Sequence, residues 1–355
     1  LSPEKETHQH AENMTTQQLK LIFKGRLEFG SKRSYDMAMA RWVSRLETYY
    51  KSDILFKPEQ VFVEEEFALV LPQQTIMSQE KPWRSTTNML QEIAQFAMVG
   101  SIGAWCVDSG QLLEWFNIEP VSDKSAVVSY LQGRELIDQR DRYEEATAAL
   151  SRAIDKYERH ALAYERRGYV NYKLKNFNDA LHDFDKSIAI NPNNPEPHYG
   201  RGKVRMLKNE WETAANDFDQ AIKRAIALQP IYWLARLKRG ECLFHAKKFA
   251  EAIKEFRLFL QRNFPAGDPN LLRRRRALML LGKALLEVNE PKEALQIIDQ
   301  ALATETGAEW APDNEAFLQR ARAKRATGVA EYAADLETAA KLGSPEAARL
   351  LEEWR

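Results

Sequence analysis

One spacing recurs along this chain and restricts its fold more than any other feature. A glycine is followed by small residues 12 and 19 positions later, with a large apolar residue at position 16. Gly168, Ala180, Phe184 and Ser187 set the pattern, and Gly202, Ala214, Phe218 and Ala221 repeat it. It recurs at Gly240, Ala252, Phe256 and a bulky Phe259, then at Gly282, Ala294, Ile298 and Ala301. Gly133 with Ala146, Leu150 and Ala153 fits if one extra residue lies in the turn. A degenerate last copy reads Ala321, Ala333, Glu337 and Ala340. Two antiparallel helices approach closely only where a Gly or Ala faces a partner side chain, so each copy predicts a helix A–turn–helix B pair. The frame residues lie 35, 34, 38, 42 and 39 apart, which puts the surplus at 225–231 and 263–271, as a longer helix B or a larger loop. Six copies exceed the roughly three that a solenoid needs. Glu337, polar at a large apolar position, predicts a water-facing last repeat. Ser344, Pro345 and Glu346 predict an N-cap, a first-turn proline and an acidic first turn for a closing helix to Trp354.

Residues 161–194 show the unit most fully. Tyr164 takes the first large position of helix A and Gly168 the crossing. Phe177 opens helix B, Ala180 and Ser187 are its small positions, Phe184 is its large one, and Pro192 ends the unit. This unit resembles the tetratricopeptide repeat almost position for position, and the resemblance extends over about 125–344. It implies an α-solenoid of about six helix-turn-helix repeats, which with the C-terminal capping helix occupies 123–355. A small α+β domain, read below from its own residues, precedes it, and the chain as a whole is mainly α.

The resemblance also implies a groove lined by helix A residues three before, one after and four after the crossing glycine, a single helical face. The middle row reads Arg134, Tyr169, Lys203, Glu241, Lys283 and Arg322. Before it stand Tyr130, Glu165, Tyr199, Leu237, Met279 and Leu318; after it, Ile137, Tyr172, Met206, Phe244, Leu286 and Arg325. The partner-binding candidates are Arg134, Tyr169, Tyr199, Lys203, Glu241, Phe244, Lys283 and Arg322. A basic ridge between apolar rows suits an acidic peptide with a few apolar anchors. The plainer alternative is that helical repeats carry many solvated Lys and Arg, and that part of the apolar rows is core. The family's chaperone-tail clamp uses specific Lys and Asn positions. Glu165 and Tyr169 stand at two of them, which argues against that partner.

The N-terminal third is a different kind of chain. Residues 1–14 are polar and read as a disordered tail, so His8 and His10 suggest a flexible tail before a weak metal site. Residues 18–29 read as one bent strand or a strand pair around Gly25, and 35–50 as a helix. Residues 61–71 read as a strand, apart from the acidic run Glu64, Glu65 and Glu66. Ser85 or Thr86 would cap the next helix. Asp108, Ser109 and Gly110 join 102–107 to 112–118 as a hairpin. The order is strand, helix, strand, helix, strand, strand, an α+β domain over 15–122, with 120–125 as the boundary.

Charge and composition exclude several classes. Lys plus Arg and Asp plus Glu are both 51, so no global field draws in nucleic acid or an anionic membrane. Arg273 to Arg276 form the one dense basic run, but successive helical residues point about 100° apart, so they make no flat patch. The apolar stretches are too short to cross a bilayer. Two distant cysteines, Cys106 and Cys242, read as small buried hydrophobes and fit a reducing, cytoplasmic compartment. Residue 1 is Leu, so an upstream targeting segment stays open. There is no phosphate loop, nucleophile elbow or zinc-ligand set, so no cofactor, metal or catalytic residue is expected. Glu64–Glu66 read as an acidic edge that discourages strand pairing, ahead of a hydrolase carboxylate pair with Asp108. The expected function is a non-enzymatic scaffold or adaptor that holds a protein or peptide. The alternative is a regulated enzyme or signalling effector whose active or sensing part is the N-terminal domain.

Overall fold

A computed structural model describes residues 18–304 and 313–354; the expected tail at 1–14 lies outside them. The chain divides into two compact units, Leu1–Pro192 and Asn193–Arg355.

In the first unit, five antiparallel strands take the order β2-β3-β1-β4-β5. They are β1 (Leu19–Glu28), β2 (Phe62–Val63), β3 (Ala68–Ser78), β4 (Val99–Asp108) and β5 (Gln111–Ile118). β1 is a single strand, and its register shifts at Gly25. A β-carbon there would stand 2.2 Å from the Ser101 carbonyl oxygen on β4. Helices α1 (Lys32–Arg45) and α3 (Glu80–Ala94) supply buried Trp42 and Trp83, and α2 (Pro58–Val61) is a single turn. Phe23 packs edge-on to Phe56 at 5.2 Å and lies 5.6 Å from Trp83, so one sheet face is an aromatic core. The hairpin forms as read, with Ser109 and Gly110 both at positive φ.

Two readings of this domain are corrected. The strand expected at 61–71 is broken, because Glu64–Glu66 form a 3-10 turn that Phe67 closes at φ 44°. The three carboxylates stay in water, where Glu64 meets Lys32 at 3.1 Å and Glu66 meets Arg26. Helix α3 starts at Glu80, ahead of Ser85 and Thr86. Pro82 falls in its first turn, where an amide has no intrahelical acceptor to lose.

The first two helix pairs belong to the same unit. They are α4 (Ser125–Leu136) with α5 (Tyr143–Lys156), and α6 (Ala161–Lys173) with α7 (Phe177–Ile190). Residues 120–125 join parts that pack on each other. The Lys124 ammonium donates to the carbonyl oxygens of Phe96 and Ala97, and the Tyr157 hydroxyl donates to Glu28 Oε2 at 3.1 Å.

The second unit continues with α8 (Pro195–Leu207) and α9 (Trp211–Arg224), then α10 (Pro230–His245) and α11 (Phe249–Gln261). α12 (Arg274–Glu287) and α13 (Pro291–Ala303) follow, then α14 (Asp313–Ala326), α15 (Tyr332–Lys341) and the closing α16 (Pro345–Glu353). The surplus at 225–231 is a five-residue connector plus a longer helix A, not a longer helix B. Ser344 caps α16, accepting from the Ala347 amide at 3.3 Å.

The glycine frame is visible in every crossing that has one. A β-carbon on Gly168 or Gly202 would stand 3.0 Å from Phe184 or Phe218. On Gly240 it would stand 2.6 Å from Phe256, and on Gly282 2.5 Å from Ile298. Gly133 meets Leu150, so the extra turn residue of the first repeat is present. The last repeat is corrected by one residue: Leu336 and Ala339 are buried and Glu337 is exposed. Its large apolar position is therefore kept, in a turn one residue shorter, and the closing face is supplied by α16.

Each later helix pair turns on a left-handed residue seven after the crossing: Lys175, Asn209, Lys247, Asn289 and Gly328. The next amide bonds back five residues, as Lys248 does to the Leu243 carbonyl at 2.8 Å. Two substitutions should therefore move stability in opposite directions. Gly240→Ala should cost about 1–3 kcal/mol by overpacking Phe256. Lys247→Gly should gain roughly 0.5–1 kcal/mol by relieving a left-handed backbone. Urea midpoints of the full chain check both; shifts in the same direction would contradict the assigned frame.

Candidate functional site

The helix A face is built on the crossing, because the residue that faces helix B fixes which side chains face away. Inside the crossing lies an ion pair that the sequence reading missed. The residue before the frame glycine is arginine in three repeats, and it grips a buried helix B carboxylate 16 positions on. Arg167 meets Asp183 at 2.7 Å, Arg201 meets Asp217 at 2.7 Å and Arg239 meets Glu255 at 2.7 Å. In the last repeat Arg320 meets Asp335 at 2.6 Å, 15 positions on, in step with the one-residue slip. A second donor completes most of them: Asn171, Arg205 and Lys324 each stand three after the frame residue. In the fifth repeat the same two positions hold apolar Leu281 and Ile297. The fixed spacing was the available signal, and it is hidden among 51 basic and 51 acidic residues.

The middle row is not a bare basic ridge. Glu241 is buried, 3% exposed, between Arg276 at 2.8 Å and Lys238 at 3.1 Å, so it lies within the repeat layer and not on an open face. Lys283 meets Glu315 at 2.9 Å, and Arg322 meets Glu346. These pairs stitch α10 to α12, α12 to α14, and α14 to α16. Arg134, in the first unit, meets Glu119. The sequence shows the cations of this row; the partners of Lys283 and Arg322 come from α14 and α16, and that of Arg134 from the connector after β5.

Aromatic side chains accompany these charges. Tyr199 and Phe244 are half-buried, with the Lys203 ammonium 5.8 Å from the Tyr199 ring and Lys283 5.7 Å from the Phe244 ring. Tyr169, also half-buried, has Lys173 at 5.3 Å from its ring. Trp211, at the start of its helix B, stacks on His245 at 4.3 Å and 18°. The sequence reading did not select this pair, although Phe177 and Phe249 open their helices at the same frame position.

The remaining sequence candidates are the two cysteines and the arginine run. Cys106 and Cys242 are free and buried, and burial pushes both thiols up, Cys242 to about 12. That suppresses the thiolate at neutral pH. Arg273 to Arg276 each reach a different acceptor: the Pro269 carbonyl, the Leu260 carbonyl, Asp313 and Glu241.

A family model described as the tetratricopeptide repeat matches residues 130–195 and 199–268. Residues of about 130–300 are tetratricopeptide repeats. Such repeats generally mediate protein or peptide binding. A relative, TPR repeat-containing protein MJ1428 of Methanocaldococcus jannaschii, is 26% identical over 111 residues, 31% of this chain and 19% of that protein. Hsc70-interacting protein 1 of Drosophila melanogaster is 28% identical over 117 residues, 33% of this chain and 29% of that protein. The chain thus spans less than a third of either relative. The solved structure of Pseudomonas aeruginosa pilF shares the fold at a TM-score of 0.51 and 18% identity, covering 65% of this chain and 98% of that one. Among the described residues, no helix is long and apolar enough to cross a membrane.

The first two tetratricopeptide repeats also hold a buried polar group. His160 Nδ1 accepts from the Ala163 amide at 3.2 Å, so the neutral ring carries its proton on Nε2. Burial lowers this imidazole to about 3, and its ring lies 4.8 Å from that of buried Tyr130. Glu165 is buried beside Arg166, 3.2 Å away; burial raises its carboxyl, Arg166 opposes the rise and Glu119 adds to it. An acid whose folded pKa is raised binds more protons folded than unfolded, so stability falls as pH rises above the ordinary glutamate range. Glu165→Gln should therefore raise the thermal midpoint at pH 7, and the gain should shrink as pH falls toward about 4. Midpoints of both proteins across pH 4–8 check this; a midpoint lowered by the variant at pH 7 would contradict it.

Proposed function

We propose that this chain is a non-enzymatic scaffold that holds a partner protein or peptide on the helix A face of its repeats. The partner is acidic and carries apolar anchors. The observation that carries the reading is the pairing of Lys203 with Tyr199 and Lys283 with Phe244, which sets a cation beside a half-buried ring on consecutive repeats. A partner carboxylate beside an apolar side chain matches each such pair, and at Lys283 it takes the place of Glu315. Met206 and Leu286, half-buried four after the frame glycine, extend the apolar side of this face. One relative carries Hsc70 in its name. Here Glu165 is buried and Tyr169 half-buried at two positions of the family's chaperone-tail clamp, so that partner is not the one proposed.

Synthetic peptides of acidic–apolar, basic–apolar and scrambled composition test the reading with the full chain. Acidic–apolar peptides should bind best, and the binding should weaken as salt rises. Each lysine contributes about 0.5–1 kcal/mol at a partly screened surface. Lys203→Glu combined with Lys283→Glu should then weaken binding by about tenfold or more at low salt. Tyr199→Ala should weaken it with little salt dependence, since it removes apolar contact. Unaltered affinity in the double charge reversal at low salt would contradict the proposal.

A further inference from the structure

The two edges of the sheet are guarded unequally. On one side β2 covers Ala68 and Leu69, and beyond it β3 carries Pro72, which has no amide hydrogen to offer a new strand. On the other side β5 runs eight residues without proline or lysine. Among the described residues it pairs with β4 alone, in a register that shifts once, at Leu113. Its side chains are unusually apolar for an edge: Leu112 is 40% exposed, Leu113 56% and Trp115 59%. An open, apolar strand edge is a template for another strand.

The occupant follows from the order of residues along β5. Gln111, Leu112 and Leu113 precede Glu114, and Trp115, Phe116 and Asn117 follow it, so the strand reads amide, apolar, apolar, acid, apolar, apolar, amide. Reversed, it reads the same. Two antiparallel copies centred on Glu114 would set Leu113 opposite Trp115 and Gln111 opposite Asn117. The central charge is already matched, because Glu114 accepts from Trp83 Nε1 at 2.7 Å and faces Arg84 at 3.5 Å. A two-fold axis uses one patch on both chains, and this strand is complementary to itself. We propose that β5 is a self-association edge, pairing antiparallel with β5 of a second copy and continuing the sheet from one chain into the other. The proposal is independent of the helix A reading.

Sedimentation of the full chain over a concentration series, with amide hydrogen exchange on the same samples, tests it. The chain should pass from monomer to dimer, and those amides of residues 111–118 that point away from β4 should exchange about tenfold or more slowly in the dimer. Leu113→Lys combined with Trp115→Lys, both at exposed positions, should weaken the dimer by about tenfold or more, with an unchanged thermal midpoint at concentrations where both proteins are monomeric. A chain that stays monomeric would overturn the proposal. So would a dimer in which the amides of residues 111–118 gain no protection, a readout that needs no variant. A dimer that the two lysines leave intact would overturn it too.

Discussion

At five of the six helix A–helix B crossings, a ring or branched side chain fills the space that a β-carbon would need. Phe184, Phe218, Phe256, Ile298 and Leu150 lie against a glycine, and the last crossing tolerates alanine. This close approach sets the distance between paired helices, and so the depth at which the next repeat can pack. It also fixes helix rotation. With the glycine turned inward, the residue before it meets the helix B carboxylate, and the residues one and four after it turn toward the neighbouring repeat.

The buried carboxylates reinforce that rotation. Asp217 is fully buried with Arg201 and Arg205 on its two oxygens, and Asp183 and Asp335 are held in the same manner. Turning a helix away would strand a buried charge, at a cost of about 3–5 kcal/mol. Apolar crossing and ion pair thus specify one register by different physics. Where one is relaxed, as with Leu281 and Ile297 in the fifth repeat, the other remains.

The repeats were legible in the sequence because glycine and aromatic residues at fixed offsets have few other uses. The hairpin at Ser109 and Gly110 was legible for a similar reason, since its turn needs residues that accept positive φ. Other features were hidden by their chemistry. Phe67 closes a left-handed turn without being glycine or asparagine, so the acidic run was the one mark of the break after Val63. The slip that exchanges Glu337 for Leu336 comes from one missing turn residue in a segment rich in alanine. On the helix A face, the cations could be read but their partners could not. Glu315, Glu346 and Glu119 lie 32, 24 and 15 positions from Lys283, Arg322 and Arg134, at separations that follow no single helical spacing.

The central claim is that the helix A face, with its ring-and-lysine pairs, is the surface that meets a partner. Hydrogen exchange of the full chain, free and saturated with the tightest acidic–apolar peptide, tests it most directly. The account predicts slowed exchange concentrated in α8, α10 and α12, with α9, α11 and α13 little changed. Protection confined to those B helices or to the sheet would contradict it.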